Sequence, residues 1–247
     1  MQNEFGLPSC DDPQLVAAHI RELKPTSTAL AAFDADGTLW RGDVADGFTE
    51  WMIDRQQISG ELWDEYLKIY ADDSVAGCIF LLRLYRGKTR QQVIDNAARY
   101  WRETRREWIP EVVAAVQHLH RQGYEIWICS GTPSDFLGPL RDALPIAQIV
   151  AMDFACDAEG KILGTPAGIP CAGAGKAKKL LQQIGQRELA LGVGNGDLDT
   201  AMMAMAAHAW GVFPNRQFAS ECAKRGWPVL PRPADFVEEA KFAAREP

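Results

Sequence analysis

The sequence predicts an α/β fold, a mainly parallel sheet with helices on both faces and one inserted all-helical segment. Three observations carry this. Short apolar runs of strand length recur at 29–34, 124–129, 149–152, 189–193 and 209–212, with stretches of helical spacing among them. Strands alternating with helices imply a sheet covered on both sides. Between 41 and 106 the strand-like runs vanish and helical spacing takes over. Acidic, glycine-containing loops follow the runs at 29–34 and 189–193. In such sheets the ligand site lies beyond the carboxyl ends of the strands.

Each element has its own signal. Residues 13–23 place Leu15, Val16, Ala18, His19 and Leu23 at helical spacing, with Asp12 suited to the N-cap and Pro25 ending the helix. The first strand follows at 29–34. In the inserted segment Phe48, Trp51 and Met52 share one face, and Leu62, Tyr66, Leu67 and Tyr70 share another. A third helix is expected over 75–85, closed by Gly87. Thr89 caps a fourth, with Gln92 at the capping-box position, and Val93, Ala97, Tyr100 and Trp101 continue it. Five of the eight tryptophans fall between 40 and 108, and packing of these helices against themselves is the expected use. The domain division is therefore 1–40 with 107–247 as the core, and 41–106 as a helical cap. Pro110 suits the first turn of the next helix, which Gly123 closes. A helix over 133–143 leads to the strand at 149–152. Asp157-Ala158-Glu159-Gly160 reads as a turn between two short strands, and 176–184 is helical.

Composition limits the function classes. A net charge of -7 gives a nucleic-acid partner no electrostatic support. No apolar run approaches the ~18 residues of a membrane span, and residues 1–13 lack a signal-peptide pattern. The six cysteines contain no Cys-x-x-Cys, so reduced thiols in a cytoplasmic protein are expected. The four histidines, His19, His118, His120 and His208, fall on predicted helices and do not cluster as ligands.

The chemistry gathers at strand ends. Asp34 and Asp36 sit two residues apart where the first strand stops and Gly37 lets the backbone turn. Neighbouring carboxylates are costly unless a cation holds them, and a hard divalent ion such as Mg2+ takes oxygen ligands. A calcium loop is excluded, because no glutamate closes it: position 45 is alanine. Ser130-Gly131-Thr132-Pro133 offers a hydroxyl and backbone N–H groups to an anion. Gly175-Lys176 opens the next helix; Lys176 is placed to neutralise an anion, while Lys178 and Lys179 read as a solvated face. Gly194-Asn195-Gly196-Asp197-Leu198-Asp199 is a second acidic loop, with Asn195, Asp197 and Asp199 open as metal ligands beside Asp34 and Asp36.

These four pieces, Asp34-Ala-Asp36-Gly-Thr-Leu, Ser130-Gly131, Lys176 and Gly194-Asn195-x-x-x-Asp199, together resemble the four motifs of the haloacid dehalogenase superfamily, in order and on the right elements. The helical insertion after the first motif, the Ser-Gly-x-Pro string and Asp157-Ala-Glu-Gly-Lys-Ile-Leu-Gly164 are similar to its phosphoserine-phosphatase-like branch. The resemblance implies a Rossmann-like core and a Mg2+-dependent phosphatase of small phosphorylated metabolites. It makes Asp34 the nucleophile of an aspartyl-phosphate intermediate and Asp36 the acid and base for the ester and water oxygens. Ser130, Gly131 and Lys176 would hold the phosphoryl oxygens, and Asp34, Asp36, Asn195 and Asp199 would supply the metal site. One departure is Asn195 where the family usually has aspartate, which implies weaker metal affinity. Asp36 favours a phosphate ester over a halide, which needs no acid to leave. Asp43, Arg83 and Arg86 are the substrate-binding candidates of the cap. Phosphoryl transfer to a second metabolite, or a catalytically weak phosphate-binding protein, are the alternatives.

Overall fold

The computed structural model describes residues 5–9, 12–24, 29–234 and 236. A 3-10 turn (Pro13–Leu15) and α1 (Ala18–Arg21) stand where one helix over 13–23 was expected. Ala17 causes the split, because its angles (φ -54°, ψ 142°) are not helical. Asp12 caps the turn through Gln14 N–H at 2.8 Å, and Pro25 lies outside the described residues.

β1 (Leu30–Phe33) and β2 (Trp40–Arg41) are followed by α2 (Val44–Asp54), α3 (Trp63–Asp72), α4 (Ser74–Leu81) and α5 (Arg90–Glu103). The third inserted helix is shorter than expected. It passes at Leu82–Tyr85 into a 3-10 turn, and Gly87 (φ +83°) ends the run. The Thr89–Gln92 capping box forms as the sequence suggested. β3 (Glu107–Trp108) then pairs antiparallel with β2, a ribbon too short for a sequence signal, which closes the base of the insertion. Trp40 meets Trp101 and Trp108 edge to face there, at 5.7 and 5.4 Å. Further out, the Phe48 ring contacts Trp51, Tyr85, Tyr100 and Phe136. The aromatic residues of the insertion largely pack against one another and against the sheet's helices.

The rest of the chain alternates: α6 (Pro110–Arg121), β4 (Glu125–Pro133), α7 (Ser134–Leu137), α8 (Leu140–Ala143), β5 (Ile146–Met152), the β6 (Phe154–Cys156) and β7 (Ile162–Pro166) hairpin, α9 (Ala174–Ile184), β8 (Leu189–Gly194), α10 (Thr200–Met203), β9 (His208–Val212), α11 (Arg216–Arg225) and β10 (Val229–Leu230). The helix expected over 133–143 is two, because Pro139 lacks the N–H a continuous helix needs. The Ser-Gly-Thr-Pro string belongs to the end of β4 rather than to a loop, with a register shift against β5. The six strands run parallel in the order β10-β9-β8-β1-β4-β5. β10 was not anticipated, being only two residues long.

β1 is central and wholly buried. Ala31 and Phe33 join the core on one face of the sheet, Leu30 and Ala32 the core on the other, with Leu180, Met203 and Phe218. Burial on both faces is why the strand reads as a continuous apolar run. No helix among the described residues is long and apolar enough to cross a membrane. Cys129, Cys156, Cys171 and Cys222 are free thiols.

Candidate active site

β1 ends against β8, and Asp34 N–H bonds Val193 carbonyl at 2.8 Å. This fixes the Asp34 side chain at the carboxyl end of the sheet. Its Oδ1 takes a bond from Lys176 Nζ at 2.6 Å and its Oδ2 one from Thr38 Oγ1 at 3.0 Å. Lys176 arrives from the first turn of α9, whose entry needs Gly175: a Cβ there would lie 1.9 Å from the Pro170 carbonyl oxygen. The same Nζ reaches Asp199 Oδ1 at 2.5 Å. Asp199 Oδ2 in turn accepts the N–H groups of Asn195 and Gly196 at 3.0 and 3.1 Å. One buried ammonium thus bridges two buried carboxylates, and every carboxylate oxygen has a donor.

Asp36 is held differently. Oδ1 accepts Val44 N–H at 2.6 Å and Trp40 Nε1–H at 3.1 Å, and Thr132 Oγ1 lies 2.6 Å from Oδ2. Val44 is the first residue of α2, so the insertion begins on this carboxyl group.

Burial shifts these groups. It pushes Asp34 up to about 7, with Asp199 adding to the rise and Lys176 and Thr38 opposing it. Asp36 is raised well above the usual carboxylate range, again by burial first and then by Asp43, against the bonds from Thr132 and Val44. Burial works against the charge of Lys176, yet Asp199 and Asp34 outweigh it and hold the ammonium above its ordinary value.

The two acidic loops face each other. Gly37 has φ +71°, and a Cβ on it would come within 2.0 Å of Asn195 Nδ2, so the Asn195 side chain lies directly over Gly37. A cavity of about 430 Å3 opens above them. Asp34, Asp36, Asp43, Ser130, Gly131, Lys176, Asn195, Asp197 and Asp199 all line it. Cys78 of α4 leans over Gly131, 3.3 Å from where a Cβ would stand. Lys178 is exposed, and Lys179 bonds Ala151 carbonyl and Asp153 at 2.6 Å each, so Lys176 alone of the three reaches the cavity.

Two expected residues are elsewhere. Arg83 and Arg86 are exposed, do not line the cavity and flank Gly164 of β7. The helix expected to carry them ends at Leu81, and the following 3-10 turn packs on β7, carrying both arginines away from the site. Conversely, sequence reasoning missed Thr132, Trp40 and the Val44 amide as partners of Asp36. It also missed much of the wall: Tyr66, Tyr70, Phe213, Arg232 and Phe236. Thr132 stood in the quoted Ser-Gly-Thr-Pro string, but its partner is 96 residues away and carries no local signal.

Among the described residues no three His, Cys, Asp or Glu side chains gather as metal ligands. The oxygen donors lining the cavity are the carboxyl groups of Asp34, Asp36, Asp197 and Asp199 and the side-chain amide of Asn195. An all-oxygen set of this kind fits Mg2+ and not a softer transition metal.

Residues 31–204 match the haloacid dehalogenase-like hydrolase family. The chain belongs to that family, as the order and placement of its motifs suggested. It is 21% identical over 216 residues to a histidinol-phosphatase of Neisseria meningitidis serogroup C (strain 8013), covering 81% of this chain and 97% of that protein. A protein of unknown function from Bordetella pertussis Tohama I shares its fold, with a TM-score of 0.72, 20% identity and coverage of 83% and 99%. A phosphoserine phosphatase, solved as an analogue of its phospho-aspartyl intermediate, superposes with a TM-score of 0.57, 16% identity and coverage of 83% and 94%.

Proposed function

We propose that the chain is a Mg2+-dependent phosphomonoesterase that works through an aspartyl-phosphate on Asp34 and acts on a small phosphorylated metabolite. One observation carries the reading. Asp34 is buried at the end of the central strand, its oxygens held by Lys176 and Thr38, with a second carboxyl group, Asp36, two residues on. The histidinol-phosphatase relative supports phosphate-ester hydrolysis, and the phospho-aspartyl analogue of a phosphoserine phosphatase supports the covalent intermediate.

In this reading an Asp34 oxygen attacks phosphorus and the bond to the ester oxygen breaks. The departing electron pair takes a proton from Asp36. Asp36, now a carboxylate, accepts a proton from water as that water attacks phosphorus, and Asp34 and inorganic phosphate are released. Ser130 and the Gly131 amide hold phosphoryl oxygens, and Lys176 turns from Asp34 towards them as charge builds. Mg2+ would be held by Asp34, the Asp36 carbonyl and Asn195, and when bound offsets the repulsion between carboxylate and phosphate. Asp199 accepts from Lys176 and from two amides, and in this reading it aims Lys176. Residues 41–106 act as a cap over 1–40 and 107–247, and Asp43 and Tyr66 belong to the wall that the substrate meets. Free thiols at Cys129, Cys156, Cys171 and Cys222 support a reducing compartment, the cytoplasm.

The test is hydrolysis of para-nitrophenyl phosphate with and without Mg2+. Chelation should remove activity, and Asp34→Asn should abolish it. Parent-level turnover by Asp34→Asn would refute the assignment.

A further inference from the structure

Asp36 has more partners than its motif explains. Oδ1 accepts two N–H donors, from Val44 at 2.6 Å and Trp40 at 3.1 Å. Neither donor can accept a proton in return. An acid proton on Asp36 must therefore sit on Oδ2. The partner there is the hydroxyl of Thr132 at 2.6 Å, which can both donate and accept. Thr132 is itself buried, 4% exposed, and its own N–H is tied to Ser130 Oγ at 3.1 Å. That bond fixes the backbone of Thr132 at the end of β4.

We propose that Thr132 is the positioning residue of the leaving-group acid, fixing Oδ2 of Asp36 as the oxygen that delivers the proton. The inference rests on the phosphatase reading above. Its hydroxyl donates to Oδ2 while Asp36 is a carboxylate and accepts from Oδ2–H while Asp36 is a resting acid; an ester oxygen in the cavity then replaces the hydroxyl as the acceptor of that proton. On the first half-reaction the Oδ2–H bond breaks, the proton passes to the ester oxygen, and the electron pair of the P–O bond stays on that oxygen. On the second half-reaction Oδ2 takes a proton from the attacking water, the hydroxide equivalent bonds to phosphorus, and the P–O bond to Asp34 breaks with its electron pair returning to the carboxylate. Val44 and Trp40 hold Oδ1 throughout, so the carboxyl plane turns about neither bond. The ring and amide are rigid donors; the threonine is the reversible one.

The test is a series of substituted phenyl phosphates whose leaving phenols differ in basicity but not in shape. An acid matters most for the most basic leaving group. Thr132→Val should lose ~10-fold more kcat on the most basic phenol than on para-nitrophenol, on the scale of general acid catalysis. KM should hold across the series, and Thr132→Ser should restore the parent pattern. An equal loss on every phenol, a change confined to KM, or a Thr132→Ser variant as impaired as Thr132→Val would overturn the proposal. Thr132→Ala makes the same comparison should the valine variant not fold. Loss of the phosphatase reading would look different: the parent would then show no Mg2+-dependent turnover of any phenyl phosphate, or Asp34→Asn would retain it.

Discussion

At the carboxyl end of β1, Asp34, Lys176 and Asp199 are buried, charged and bonded to one another. In the inserted helices Phe48, Tyr85 and Trp101 are sealed from water as completely, but through ring contacts and a few neutral hydrogen bonds. The two regions meet at Asp36, which bonds the Val44 N–H that begins α2 and the Trp40 indole that packs on Trp101. Buried charge has fixed partners and almost no freedom to be replaced. Buried aromatic surface is defined by volume and tolerates exchange. The same depth of burial therefore makes one region specific in chemistry and the other specific in shape.

Substitutions should separate the two. Lys176→Met leaves Asp34 and Asp199 facing each other without a cation. Breaking a buried pair in this way costs ~3–5 kcal/mol. Phosphatase activity should vanish with it, read by thermal melting and turnover on the same sample. Phe48→Ala should cost a comparable ~3–5 kcal/mol, the usual loss for a deleted core phenyl ring. At saturating substrate and a temperature where it is folded, however, its kcat should stay within a few-fold of the parent. Large loss of kcat with intact stability would show that the insertion does more than cover the site.

A smaller effect is expected where the loops touch. Gly37→Ala forces a left-handed residue (φ +71°) and a Cβ into Asn195. The strain is ~1 kcal/mol or more, and displacing Asn195 should raise the Mg2+ concentration needed for half-maximal activity. A pH profile sharpens the same point. Asp34, raised to about 7, loses its carboxylate form as pH falls through that value, so the acid limb of kcat/KM should lie near neutrality at limiting Mg2+. Added positive charge favours the carboxylate, and saturating Mg2+ should move that limb to lower pH.

The contrast also explains what could be read in advance. Asp34, Asp36, Ser130, Lys176 and Asn195 were legible because each sits at a strand end beside glycine or a helix start, where local pattern and local chemistry coincide. The alternation of strands and helices followed from β1, β4, β5, β8 and β9 being apolar runs of strand length. Thr132 and the Trp40 indole were not legible as partners of Asp36, since nothing in a string of residues reports a contact made across the sheet. Arg83 and Arg86 misled for a related reason: their spacing suits a helix face, but the helix tightens into a 3-10 turn before reaching them. Arg232 and Phe236 lie beyond the residues matched by the family, and only the folded chain brings them to the cavity.

The most direct measurement is chemical capture of the bond that Asp34 is said to form. Protein quenched in acid during steady turnover of a phosphomonoester with Mg2+, then digested, should yield a peptide containing Asp34 that carries an added phosphoryl group, and the Asp34→Asn protein should yield none. Rapid turnover with that peptide unmodified, or with the phosphoryl group on another residue, would contradict the account.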